Sequence, residues 1–143
     1  MNVLVIEPGQ APYTLDIENS LEQLLALIGK NGIQHCEAIY PFNDAAVCII
    51  NEEAKLYPDA FLPNRALLDE YGRVQDVILG TMVIAGISEI DGDLASLTTE
   101  QIDKYSEQFQ YANEFYINND GSIGFNEVEP ESLEQEETIE VGG

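Results

Sequence analysis

Four consecutive apolar residues, Val3-Leu4-Val5-Ile6, run into Glu7-Pro8-Gly9. A short, mostly β-branched run with no polar position, stopped by turn residues, reads as a strand buried on both faces. Such a strand has to sit in the middle of a sheet. The rest of the chain is then organised around it. Tyr13 to Ile17 alternates apolar and polar residues like a half-exposed strand, and Asn19 or Ser20 supplies an N-cap with Glu22 in the first turn. The helix that follows carries Leu21, Leu24, Leu25 and Ile28 on one face and closes at Gly29 to Gly32.

Ile33 to Tyr40 and Ala45 to Ile50 flank Pro41-Phe42-Asn43-Asp44 and read as two antiparallel strands. Asn51 to Arg65, with Pro58 and Pro63, reads as a loop crossing a sheet edge. Val77 to Ile87 is the most apolar stretch and reads as one core strand, in which Gly80 and Gly86 mark a bulge or a close backbone approach. Ser96 or Thr98 caps a second helix running to about Asn113, with Ile102, Tyr105, Phe109 and Ala112 on one side and Glu100, Asp103 and Glu107 on another. Asn119-Asp120-Gly121 lies between apolar flanks and signals a hairpin over Phe115 to Phe125. The expected architecture is α+β: a single mixed, mostly antiparallel sheet of about five strands with two helices packed on it, a C-terminal hairpin and an acidic tail. Residues 1–126 form the single domain and residues 127–143 the tail, which holds seven Glu and no Lys or Arg.

Charge narrows the function. Five Lys and Arg stand against 27 Asp and Glu, a net charge of −22. That field repels polyphosphate, so direct nucleic-acid binding is not expected, and it steers the chain toward basic protein surfaces. No apolar run reaches the roughly 20 residues of a membrane span, and no signal peptide is seen, so the expectation is a cytoplasmic protein with no membrane partner. Cys36 and Cys48 then read as buried, reduced thiols.

Catalysis has no anchor. His35 is the only histidine, and its neighbour Cys36 on a strand points to the opposite face. There is no phosphate-binding Gly-rich loop, nucleophile elbow or Cys/His metal spacing, so no cofactor, metal or enzymatic activity is expected. Asn118 to Glu127 resembles part of a calcium-binding EF-hand loop, but Tyr116 replaces the first carboxylate and Pro130 interrupts the exit helix, which favours the plain hairpin.

Two surfaces remain as candidates. Glu100, Asp103 and Glu107, continued by Glu114, Asp120, Glu127, Glu129 and Glu131, could imitate a row of phosphates, since residues three and four apart on a helix are about 5–6 Å from one another. The ordinary reading of such a run is a solvated face. Lys55, Asn64 and Arg65 are the alternative, a small-ligand pocket for a nucleotide signal. For Arg65 the simpler role is an internal salt bridge that organises its loop.

Several blocks together carry a resemblance: Glu7-Pro8-Gly9-Gln10-Ala11-Pro12-Tyr13, Ile17 to Glu22, Ala38 to Phe42, Asn51 to Leu56, Leu62-Pro63-Asn64-Arg65-Ala66-Leu67 and Asp76 to Thr81. In this order, over about residues 1–115, they resemble an uncharacterised family catalogued as a domain of unknown function, found in phages, plasmids and conjugative elements of Gram-positive and gut bacteria. Ala54 stands where that family usually has Gly, and Tyr57 to Phe61 is an insertion. The resemblance implies a mobile genetic element, and hence an inhibitor of host defence, anti-CRISPR or antirestriction, whose partner is a basic host nuclease or CRISPR effector.

Overall fold

A computed structural model describes residues 1–30, 32–33 and 35–131. Its centre is a six-stranded sheet built from β1 (Asn2–Ile6), β2 (Tyr13–Asp16), β3 (Cys36–Ile39), β4 (Ala46–Asn51), β7 (Met82–Ile87) and the short β8 (Leu94–Ala95). The order is β2-β1-β7-β4-β3, with β8 paired to β7, and every ladder in it is antiparallel.

The uniform apolarity of β1 follows from what covers it. Val3 and Val5 point to the side of α1 (Leu21–Ile28), where they pack with Leu24, Ile28, Val47, Ile49 and Val83. Leu4 and Ile6 point to the side of α2 (Thr99–Gln108) and pack with Met82, Ile84, Tyr105 and Phe109. Two cores, one on each face, leave this strand no polar position. Gly86 is needed beside β8, because a Cβ there would meet the Ser96 carbonyl at 2.6 Å.

Both helices start where the capping chemistry points. Ser20 Oγ accepts the Gln23 amide at 3.2 Å, and Thr98 forms a reciprocal capping box with Gln101. The second helix ends at Gln108, earlier than its periodicity predicts, because Ala112 already belongs to a strand.

Two readings are corrected. Val77 to Ile87 is not one strand but the end of β6 (Val74–Leu79) and the whole of β7, broken at Gly80 with φ +79°. The segment read as a loop up to Arg65 contains a short 3-10 turn at Ala54–Leu56 and then β5 (Pro63–Leu68), which pairs with β6 in a separate two-stranded sheet. Proline is tolerated at the first residue of a strand, so Pro63 opens β5 instead of excluding it. A second two-stranded sheet joins β9 (Ala112–Ile117) to β10 (Ile123–Val128). The tail expected at residues 127–143 is shortened at its start, because Glu127 and Val128 complete the ladder of β10, and residues 132–143 lie outside the described residues.

Candidate interaction surface

Glu100, Asp103 and Glu107 are all exposed on α2, so the helix does present an acidic face. The continuation is less regular than a single row. Register places Glu114 opposite Asn126 and Glu127 opposite Asn113. Alternation along a strand then puts these two carboxylates on opposite faces of the β9–β10 ribbon. Asp120 sits in the connecting turn, where its Oδ1 accepts from the Ser122 amide at 2.9 Å and hydroxyl at 2.6 Å. Those two bonds, hydroxyl first, hold its carboxyl below the ordinary range. Beyond β10, the Glu131 amide donates to the Gly9 carbonyl at 2.9 Å, which ties this end of the chain to the turn after β1.

Three of the five basic residues form ion pairs at the surface, with their own side chains still more than half exposed. Lys55 pairs with Asp76, and Arg73 pairs with Asp69 at 3.0 Å while stacking over Tyr71. Lys104, on the same helix as the acidic face, approaches Asp44 at 3.7 Å. Asp44 also accepts from the Tyr105 hydroxyl at 2.6 Å and from Gln101 at 3.3 Å, and so pins the β3–β4 connection to α2. Tyr105 is the first cause of the lowered Asp44 carboxyl, while desolvation, followed by Asp44 itself, drives the Tyr105 hydroxyl well upward.

Arg65 departs most from its expected setting. It lies on β5, is 1% exposed, and among the described residues meets no carboxylate. Its Nε and Nη2 donate to the Phe109 carbonyl at 3.3 and 3.1 Å, Nη2 also donates to the Gln10 carbonyl at 2.6 Å, and Nη1 donates to Asn64 Oδ1 at 3.0 Å. Asn64, fully buried, donates in turn to the carbonyls of Ile6 at 2.7 Å and Gly80 at 2.8 Å. Burial pulls the guanidinium down to about 10, still charged at neutral pH. The internal salt bridge is therefore replaced by a carbonyl cage that joins the end of β1, the β6–β7 turn and the C-terminus of α2. Lys55 stands apart from this pair, on the groove described below.

The remaining sequence candidates occupy ordinary positions. His35 is exposed, 3.4 Å from Glu53; both cysteines are free, and Cys36 is only partly buried where full burial was expected. Cys48 is fully buried, and desolvation pushes its thiol up to about 12. Tyr116 and Glu127 belong to strands β9 and β10, so the Asn118 to Glu127 segment is a ribbon and not a helix-loop-helix. Among the described residues no group of three metal-ligating side chains converges.

Sequence reading missed a groove between the β5–β6 and β9–β10 ribbons. It is lined by Val77 and Leu79 on one wall and by Phe115, Ile117, Ile123 and Phe125 on the other. The signal existed in the apolar residues of both ribbons, but without β5–β6 recognised as a hairpin there was no second wall.

These features define an antiparallel α+β protein with a sheet covered on both faces, a buried arginine cage and an acidic exterior. The chain belongs to the family described as Domain of unknown function (DUF3846), whose family model matches residues 1–110. No curated protein and no solved structure matches it. The family match ends between α2 and β9, so the β9–β10 ribbon lies beyond it.

Proposed function

We propose that this protein is a binding inhibitor that presents a nucleic-acid-like acidic surface to a basic nucleic-acid channel, as in a host nuclease or CRISPR effector. One observation carries the reading. Of the five basic residues, Arg65 is buried, Lys55, Arg73 and Lys104 each lie against a carboxylate at the surface, and Lys30 is exposed. Few cationic side chains are therefore free to offset the acidic residues, which outnumber the basic ones by 22 in the sequence. A protein that only needed solubility would not require so large an imbalance, which costs self-repulsion and is offset when an opposite potential is met. Channels that hold nucleic acid supply such a potential. The setting in a mobile genetic element, implied by the sequence resemblance, makes a defence nuclease the natural target.

No catalytic role is part of this reading. The pocket formed by Lys55, Asn64 and Arg65 gains no support, since the polar atoms of Asn64 and Arg65 are engaged by backbone carbonyls and by each other.

The test is inhibition of purified restriction and CRISPR nucleases across a salt series. Inhibition that weakens steeply from low to moderate salt, and that is lost when Glu100, Asp103 and Glu107 are replaced by Lys, is the expected result. Inhibition that survives the triple charge reversal would sink the acidic-surface mechanism.

A further inference from the structure

The groove between the two ribbons is the strongest unassigned feature. Its volume is about 1360 Å³, above the roughly 300–1,000 Å³ of small-molecule sites. Its walls are strands with partners on one side only: among the described residues β6 pairs with β5 alone, and β10 with β9 alone. Unpaired strand edges offer backbone donors and acceptors to an added extended segment. The wall side chains are apolar and open to solvent, with Ile117 77% and Ile123 46% exposed. Phe115 and Phe125 face each other across the strands, ring centroids 6.1 Å apart, and form a half-buried apolar wall.

Charge selects the occupant. Lys55 and Arg73 line the groove but are already neutralised by Asp76 and Asp69, which also line it, and Asp120 adds one further negative charge. Within a chain of net charge −22, an acidic segment would be repelled from such a groove, and a segment carrying Lys or Arg between its apolar side chains would be drawn in.

We infer that this groove binds an extended segment of a partner protein in which apolar and basic residues alternate, the apolar ones set against Phe115, Phe125, Ile117 and Ile123. The inference rests on the reading of the molecule as a binder of basic proteins, and adds a second contact, apolar and salt-resistant, beside the acidic face of α2.

The experiment uses the full chain and three synthetic peptides of about nine residues, roughly 30 Å when extended. They carry alternating Lys and Ile, alternating Lys and Ser, and alternating Glu and Ile, and binding is read by fluorescence anisotropy at low and moderate salt. The Lys/Ile peptide should bind at least about tenfold more tightly than either of the others. Ile117→Asp, at a mostly exposed position, should remove that preference with circular dichroism unchanged, and Ile123→Asp should act likewise. Equal binding of the Lys/Ile and Lys/Ser peptides, or an Ile117→Asp protein that binds as the parent does, would overturn the inference. Two further outcomes would also overturn it by assigning another occupant: tighter peptide binding after truncation at Glu131, which makes residues 132–143 the occupant, or a dimer in sedimentation that Ile117→Asp dissociates. Loss of nuclease inhibition in the α2 charge-reversal protein with peptide binding intact supports the groove independently of the acidic face. A groove variant that keeps full inhibition and full peptide binding retires the groove and leaves the acidic-surface reading standing.

Discussion

The central sheet and the β9–β10 ribbon are both antiparallel, and both carry Val and Ile, yet they treat apolar residues in opposite ways. In β1 and β7 apolar side chains are buried on both faces, whereas Ile117 and Ile123 at the tip of the ribbon are open to solvent. The difference is one of layers. A strand with a helix packed on each side has no solvated face, while a two-stranded ribbon keeps at least one. The sheet therefore answers to packing on both faces, whereas the ribbon, outside the family match, leaves part of its apolar surface open to solvent.

The largest effect is expected inside the core. Replacing Arg65 by Met removes the charge but leaves the carbonyls of Phe109 and Gln10 and the Asn64 oxygen without their donor. Each buried unsatisfied group costs about 1–3 kcal/mol, so with three acceptors stranded a total loss of at least about 3 kcal/mol is expected. Urea denaturation would show it as a lower midpoint at unchanged slope. A variant as stable as the parent would mean that the cage is not what joins β1, β5 and α2.

Next comes a direct contrast between the two regions with the same chemistry. Ile84→Ala, at a fully buried position between β1 and β4, should cost about 2–5 kcal/mol. Ile117→Ala should change stability by no more than about 0.5 kcal/mol. Comparable losses at both sites would show that the ribbon is as integral to the core as the sheet and would weaken its assignment as a free surface.

Gly80 tests the break between β6 and β7. Its φ of +79° is a left-handed conformation, and an added Cβ would lie 2.7 Å from Cδ1 of Phe61. Gly80→Ala should therefore destabilise by about 1–3 kcal/mol, through strain at a position that disfavours L side chains and displacement of a buried ring. Thermal melting of the pair of proteins checks it. An unchanged melting temperature would mean that the turn can relax into an ordinary conformation.

What was legible in the sequence divides along the same line as the molecule. Caps and double-sided burial are local facts, so Ser20, Thr98 and the Val3–Ile6 strand could be read directly from neighbouring residues. β5 could not, because Pro63, Asn64 and Arg65 have the chemistry of a loop. They become a strand only when the Ile6, Gly80, Gln10 and Phe109 carbonyls, distant in sequence, arrive to satisfy them. The uninterrupted hydrophobicity around Gly80 hid a break, at one positive φ, where the chain passes from the β5–β6 ribbon into the central sheet. For the candidate site, the helical spacing of Glu100, Asp103 and Glu107 correctly gave one exposed face. The split of Glu114 and Glu127 onto opposite faces depended on the β9–β10 register, which composition does not carry.

The smallest effect lies where the fold meets the acidic face. Asp44 is held below the usual carboxylate range first by the Tyr105 hydroxyl, then, against desolvation, by the Ala45 amide, Gln101 and Lys104. A carboxyl with a depressed folded-state value stabilises the protein above its unfolded value of about 3.9, and that contribution disappears as pH falls through the lower folded value. Tyr105→Phe removes the leading donor while keeping the ring, which packs 4.5 Å from Phe42 between centroids. The expected cost is about 1 kcal/mol at neutral pH, shrinking as pH falls below about 3.9 and through the lower folded value, because the carboxylate that the hydroxyl favours is progressively lost. Denaturation of the two proteins at pH 7 and at pH 3 separates this from a packing defect, since a cavity or a shifted ring would cost the same at both. A difference independent of pH would place the role of Tyr105 in the core alone and leave the acidic face of α2 anchored by Gln101 and Lys104.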